Sequence, residues 1–428
     1  MISATGLSLL LAAASGAFAK GGTAVADRIA GLTAEHEQNH PALMWRTDAS
    51  GTGLVTIDTP PPVPQAFERN VGRAWAAAGE GKSPSSNCTG FFNGMSARLA
   101  NESTDSADLA ACMARLCTDS EPVQTVLVAT SGDTGGAVVA AFHRRPGFRV
   151  VILYPDDKVS ARQAHQLGAF GDNVHAFKVS CNFDDCRRLV KQALNDQCLA
   201  REFALTSANS ISIGRLLPEI SYYAHAVSQL HRAGHTPVEV IVPTGNLGNA
   251  LACILGRDMG LPIGEIVLAT NANPTLAECF SGSDYRGRPG IATLANAMDV
   301  GDPSNFERQA WFYRNKDLRR ANISAVSIDD ATIRARLTAT YANTGQIVCP
   351  HTACALEALA LRRTAGNPHP HLIAATAHPA KFENVVEPLI GQTIEPPLAL
   401  DELLKMPSHV TELAPDYQAL RIAMAALV

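Results

Sequence analysis

Thr125-Val-Leu-Val-Ala-Thr-Ser-Gly-Asp-Thr-Gly-Gly-Ala-Val-Val-Ala-Ala-Phe142 is the stretch that decides the fold. Thr125 to Thr130 is a short apolar run with β-branched residues. A glycine-rich turn follows, Ser131 to Gly136, and then the apolar Ala137 to Phe142. The pattern predicts a strand, a tight turn and a helix. The same alternation spreads outward. Phe148 to Tyr154 is the next strand, stopped by Pro155; Asn173 to Val179 follows, then a helix over Asp184 to Leu194. Val238 to Val242 ends in Pro243 and a second glycine-rich turn, Thr244 to Asn249, and Ile266 to Thr270 and Leu372 to Thr376 complete the set. Strands alternating with helices imply an α/β protein with doubly wound parallel sheets covered on both faces. In such sheets ligands sit at the carboxyl ends of the strands.

The bulk properties agree. A chain of 428 residues is more than one core usually serves, so two or three domains are expected. Hydrophobic residues at 46% against 18% charged describe a folded chain, and a net charge of −5 argues against a nucleic-acid or anionic-membrane partner. Three cysteine pairs share a C-x4-C spacing, Cys112/Cys117, Cys181/Cys186 and Cys349/Cys354, with no CxxC. They read as reduced thiols of a cytoplasmic protein rather than a zinc site. The apolar Leu7 to Ala19 is too short to span a bilayer. With no basic residue before it, this run reads as a buried helix ended by Gly21-Gly22, a signal peptide being the alternative. Proline- and glycine-rich stretches over 58–64 and 79–86 close a first section at about residue 83.

Three segments carry the chemistry. The turns Ser131–Gly136 and Thr244–Asn249 can each present backbone N–H groups at a helix start, where an anion binds; the glycines let it approach. Either turn alone could be a tight strand–helix connection, and neither matches a dinucleotide or nucleotide-triphosphate motif. Leu205 to Arg215 gathers hydroxyls, the Asn209 amide and the Arg215 guanidinium, a donor fork suited to phosphate; a capped helix start with an exposed arginine is the structural alternative. His351 and Lys381, in turns near the C-terminal end, read as structural.

Taken in order, ATSGDTGGA (129–137), VILYPDDKVS (151–160), FDDC (183–186), TSANSISIGRLLPEI (206–220), VPTGNLGNALA (242–252), PHTA (350–353) and TAHPAKF (376–382) resemble the motifs of the threonine synthase family. The resemblance implies a fold-type II pyridoxal-phosphate (PLP) enzyme, similar to the tryptophan synthase β chain in fold. It implies an N-terminal domain over 1–83, a large domain over 84–124 and 206–428, and a small mobile domain over 125–205. It further implies a carbon–oxygen lyase acting on phosphates, with O-phosphohomoserine as substrate, as a monomer or homodimer. By the same resemblance Gly245, Asn246, Leu247, Gly248 and Asn249 hold the PLP phosphate and Thr352 lies near the pyridine nitrogen. Thr89, Ser131, Asp133, Thr134, Asn209, Ser210 and Arg215 face the substrate.

One departure matters most. The family's cofactor lysine sits in a motif like HGPTLAFKDFGARFMA; here the corresponding stretch is Ser86 to Ala100, and Asn93 falls at the lysine. An amide can hydrogen-bond but cannot supply an amine to the cofactor or abstract a proton. PLP would then be held non-covalently, or the chain would be a PLP-free pseudoenzyme. Lys82, eleven residues upstream in a Gly/Ser-rich loop, reads as a solvated lysine. Ser212, Ile213, Glu219 and Cys349 also differ from the family pattern.

Overall fold

A computed structural model describes the backbone of residues 43–47 and 53–57, residue 110, and residues 122–427 apart from 131, 157–158, 314–321, 368 and, between 210 and 236, all but 215–216, 219–220, 223, 226–227, 230–231 and 234–235. The N-terminal run 7–19, Lys82, Thr89, Asn93, Ser131 and Ser210 lie outside the described residues.

Two sheets organise the chain. One is built from β3 (Gln124–Ala129), β4 (Phe148–Pro155), β5 (Val174–Val179), β6 (Leu205–Thr206) and a C-terminal strand, Val410–Leu413. Its order is 410–413, β5, β4, β3, β6, with every pairing parallel. Between these strands run α1 (Asp133–Phe142), α2 (Ala161–Gly168) and α3 (Phe183–Asn195). The chain steps from β3 to β4 to β5 in one direction and then returns to the far side of β3 with β6. Side chains alternate along β3: Val126 and Val128 pack against Val138, Phe142 and Leu167, while Leu127 and Ala129 pack against Leu189, Val190 and Met424. Burial on both faces explains the continuous apolar run, each such side chain contributing about 1.5–3 kcal/mol.

The second sheet repeats the plan. Its strands are β1 (Leu43–Thr47), β2 (Gly53–Ile57), β7 (Val238–Pro243), β8 (Ile263–Thr270), β9 (Ile323–Ser327) and β10 (His371–Ala374), in the order β1-β2-β10-β7-β8-β9. Only β1 and β2 pair antiparallel. Here α4 (Gly248–Asp258) follows β7, and α5 (Asp330–Thr344) and α6 (Pro350–Thr364) precede β10. The chain moves from β7 to β8 to β9, then returns beside β7 with β10. Both sheets therefore have a topological switch point, β3/β6 in one and β7/β10 in the other, where a crevice opens at the strand ends. The C-terminal strand Val410–Leu413 pairs with β5, so the tail after residue 206 does not stay wholly with the β7-containing sheet.

The two sheets meet along a polar seam. The Ser160 hydroxyl donates to the Lys381 carbonyl at 2.7 Å, Arg162 donates to the Ala380 carbonyl at 3.1 Å, and Arg162 pairs with Glu387 at 3.5 Å.

Candidate active site

A cleft of about 1240 Å³ lies between the sheets, lined by the carboxyl ends of both switch strands: Ala129 and Thr130 after β3, Pro243 and Thr244 after β7, and Ala374 to Thr376 at the end of β10. Both glycine-rich turns open on it, but they are built differently.

In the first turn the Thr130 Oγ1 accepts from the N–H groups of Gly132 at 3.0 Å and Gly135 at 2.8 Å. Gly132 has φ of +127°, and a Cβ there would lie 2.6 Å from the Gln163 side chain. That glutamine forms the capping box of α2 with Ser160 and donates its Nε2–H to the Asp133 carboxylate at 3.0 Å. Lys381 also reaches Asp133, at 3.1 Å across the seam. Burial works to raise the Asp133 pKa, but the Lys381 ammonium, with His351 and Gln163, outweighs it and holds the carboxyl below its ordinary range.

In the second turn no side chain caps α4, whose N-cap, Leu247, is held at φ of +62°. Among the described residues no side chain takes the first N–H groups of that helix, and such a helix start can accept an anion. Gly245 is required by close approach: a Cβ would meet the Met298 Cα at 2.6 Å. The Asn246 side-chain oxygen accepts from the Ser304 N–H at 2.7 Å, and the Asn305 amide donates to the Asn246 carbonyl at 3.0 Å. Tyr223 donates to the Asn249 side-chain oxygen.

Gly245, Asn246, Gly248, Asn249, Asp133, Thr134, Asn209 and Arg215 all line this one cleft. Asn209 spans the β3/β6 switch, donating to the Ala129 carbonyl at 2.8 Å. Arg215 is buried, not exposed, and lies 3.6 Å from the equally buried Glu219, so its charge is balanced within the wall. Leu247 is buried behind the turn. Thr352 is buried too; its hydroxyl lies 3.3 Å from the thiol of Cys349, the N-cap of α6.

No pattern in the sequence marks the segment 295–299, a single 3-10 turn over Asn296–Met298 that crosses Gly245 and lines the cleft. Its anchor is Asp299, which accepts from Asn271 at 2.8 Å and from the Thr293 hydroxyl at 2.7 Å and N–H at 3.0 Å. Burial pushes the Asp299 carboxyl up to about 7. His351, read as structural, also lines the cleft, and its Nε2 accepts from the Ala297 N–H at 3.1 Å. Cys181 and Cys186 are free thiols with their sulfurs 3.6 Å apart. Among the described residues no cluster of histidine, cysteine and carboxylate could hold a metal, and no helix is long and apolar enough to cross a membrane.

A family model described as "Pyridoxal-phosphate dependent enzyme" matches residues 107–375, more than half of the chain, and one described as "Threonine synthase, C-terminal" matches 352–423. The threonine synthase of Escherichia coli K12 is 38% identical over 301 residues, covering 70% of this chain and 69% of that protein. This chain belongs to the threonine synthase family. Solved structures agree. The crystal structure of threonine synthase from Escherichia coli superposes with a TM-score of 0.74 at 31% identity, covering 89% of this chain and 94% of that one. A PLP-bound threonine synthase from Brucella melitensis gives 0.71 at 25%, with the same coverage. The fold is thus that of a fold-type II PLP enzyme, as the motifs of this family imply. Asn93 precedes the stretch matched by the PLP-enzyme model.

Proposed function

We propose that the cleft binds PLP with its phosphate at the Gly245–Asn249 turn, and a phosphorylated amino acid such as O-phosphohomoserine beside Asp133, Thr134, Asn209 and Arg215. The chain then acts as a threonine-synthase-like carbon–oxygen lyase of altered chemistry, because Asn93 stands at the lysine position. The observation that carries this reading is the uncapped start of α4 facing the same cleft as the first glycine-rich turn. The residues present fit an anionic cofactor, since Gly248 and Asn249 offer N–H groups that no capping side chain occupies. When bound, PLP serves as an electron sink for the amino acid's carbon skeleton.

The chain's own residues bind and orient. Asn209 is held at the β3/β6 switch, Asp133 is fixed by Gln163 and Lys381, and the Arg215–Glu219 pair forms a charge-balanced wall. Thr352, buried beside Cys349, is the residue that the family resemblance would set against the pyridine nitrogen. An amide such as that of Asn93 can hydrogen-bond but moves no proton, and loss of a proton-transfer group removes about 10²–10⁴ in rate.

The test is a PLP titration of the wild type and of Asn93→Lys, each followed by borohydride reduction and a threonine-formation assay. The wild type should bind PLP without a covalent label, and the variant should gain the label. A label on a lysine of the wild type would refute the role given to Asn93. Stabilisation by O-phosphohomoserine but not by PLP would favour a PLP-free ligand sensor or a partner of an active homologue, which Asn93 also fits.

A further inference from the structure

His351 holds one nitrogen for the fold and leaves the other over. Its Nε2 accepts the Ala297 N–H at 3.1 Å, so Nε2 carries no proton and Nδ1 must carry it. The residue is only 2% exposed, yet this Nδ1–H is buried with no hydrogen-bond partner among the described residues. A buried donor left unmade costs about 1–3 kcal/mol. A purely structural clamp on Ala297 needs an acceptor alone, so nothing in the packing calls for the second nitrogen. The ring stands edge-to-face on Phe382, centroids 4.9 Å apart, which fixes its plane.

The surroundings select what this donor would meet. His351 is the second residue of the fifteen-residue helix α6, at its positive end. The charged groups that act on it are Asp133 and, less strongly, Lys381, which pair with each other at 3.1 Å. The Nδ1–H is the donor this nearly dry corner of the cleft has to offer, and an oxygen bearing negative charge is its strongest acceptor. Burial pushes the imidazole down to about 4, so it is neutral at physiological pH and its proton arrangement is fixed.

We propose that His351 is a ligand-binding residue whose Nδ1–H donates to an anionic oxygen, carboxylate or phosphoryl, of the amino-acid ligand in the cleft. This rests on the reading of the cleft given above, and two substitutions separate it from a structural role. In His351→Gln the side-chain oxygen reaches the Nε2 position and keeps the Ala297 bond, but the Nδ1 donor is gone. In His351→Asn an amide N–H reaches the Nδ1 position and the Ala297 bond is lost.

Calorimetric titration of the full-length wild type and both variants, with O-phosphohomoserine, L-homoserine and inorganic phosphate as probes, decides the matter alongside thermal melts. The Gln variant should melt near the wild type and bind O-phosphohomoserine about tenfold to a hundredfold more weakly. The Asn variant should melt lower and keep its affinity within a few fold. A loss shared by inorganic phosphate assigns the phosphoryl oxygen; a loss shared by L-homoserine alone assigns the carboxylate. Gln binding as tightly as wild type, or Asn losing as much as Gln, overturns the proposal while the reading of the cleft stands. A wild type that binds none of the probes overturns both.

Discussion

The two glycine-rich turns are near twins in sequence, SGDTGG and TGNLGN, and opposites in construction. The first is closed from within: Thr130 accepts two of its N–H groups, Gln163 packs over Gly132, and Lys381 pins Asp133. The second is held from outside, by Met298 against Gly245, Ser304 and Asn305 on Asn246 and Tyr223 on Asn249, and among the described residues no side chain accepts from its first helical N–H groups. A glycine-rich strand–helix turn therefore does not by itself mark an anion site; what marks one is that the N–H groups have no partner of their own. The contrast supports the proposal that the second turn takes the cofactor's phosphate, with the first positioning Asp133 and Thr134.

The contrast can be broken at either end. Lys381→Met would leave Asp133 buried without its cation, and the largest loss is expected there, about 3–5 kcal/mol in urea unfolding. Gly245→Ala forces a Cβ into the Met298 backbone. It should cost about 1–3 kcal/mol and, by displacing the turn, weaken PLP binding tenfold or more in an absorbance titration. Thr130→Val strands two N–H groups of the first turn. A similar or smaller cost of about 1–2 kcal/mol is expected, with PLP affinity unchanged, because the proposal puts the cofactor's phosphate at the other turn.

The most gradual effect, spread over several pH units, is the pH dependence from Asp299, beside the second turn. Its carboxyl titrates near 7 in the fold and in the ordinary carboxylate range when unfolded. Between about pH 4 and 7 the folded protein holds a proton that the unfolded chain has released. This group therefore lowers stability as pH rises, by roughly 1 kcal/mol per pH unit, and the loss is complete above about 7. Urea midpoints of Asp299→Asn across that range should lack this slope.

Much of this plan is legible before folding, and the exceptions have physical reasons. Val126 to Ala129, Val150 to Leu153 and Val240 to Val242 are buried on both faces, so each announces itself as an unbroken apolar run. The strands Ile323–Ser327 and Val410–Leu413 lie at sheet edges with mostly half-buried or exposed side chains, and their short mixed sequences carry no such run. The turns themselves stand out by their glycines, but which turn is already satisfied depends on Thr130 and Gln163, whose roles are set only by tertiary contact. His351 is the least legible. A lone histidine next to a proline gives no hint that it will line the cleft while accepting from the N–H of Ala297, 54 residues away.

The most direct test of the central claim is the dissociation constant of PLP for the wild type set beside that for Gly245→Ala, measured by absorbance at equilibrium. Saturable binding of one equivalent by the wild type, weakened at least tenfold in the variant, is the expected result. No saturable binding, or equal affinity in the two proteins, would contradict the assignment of the Gly245–Asn249 turn as the cofactor's phosphate site.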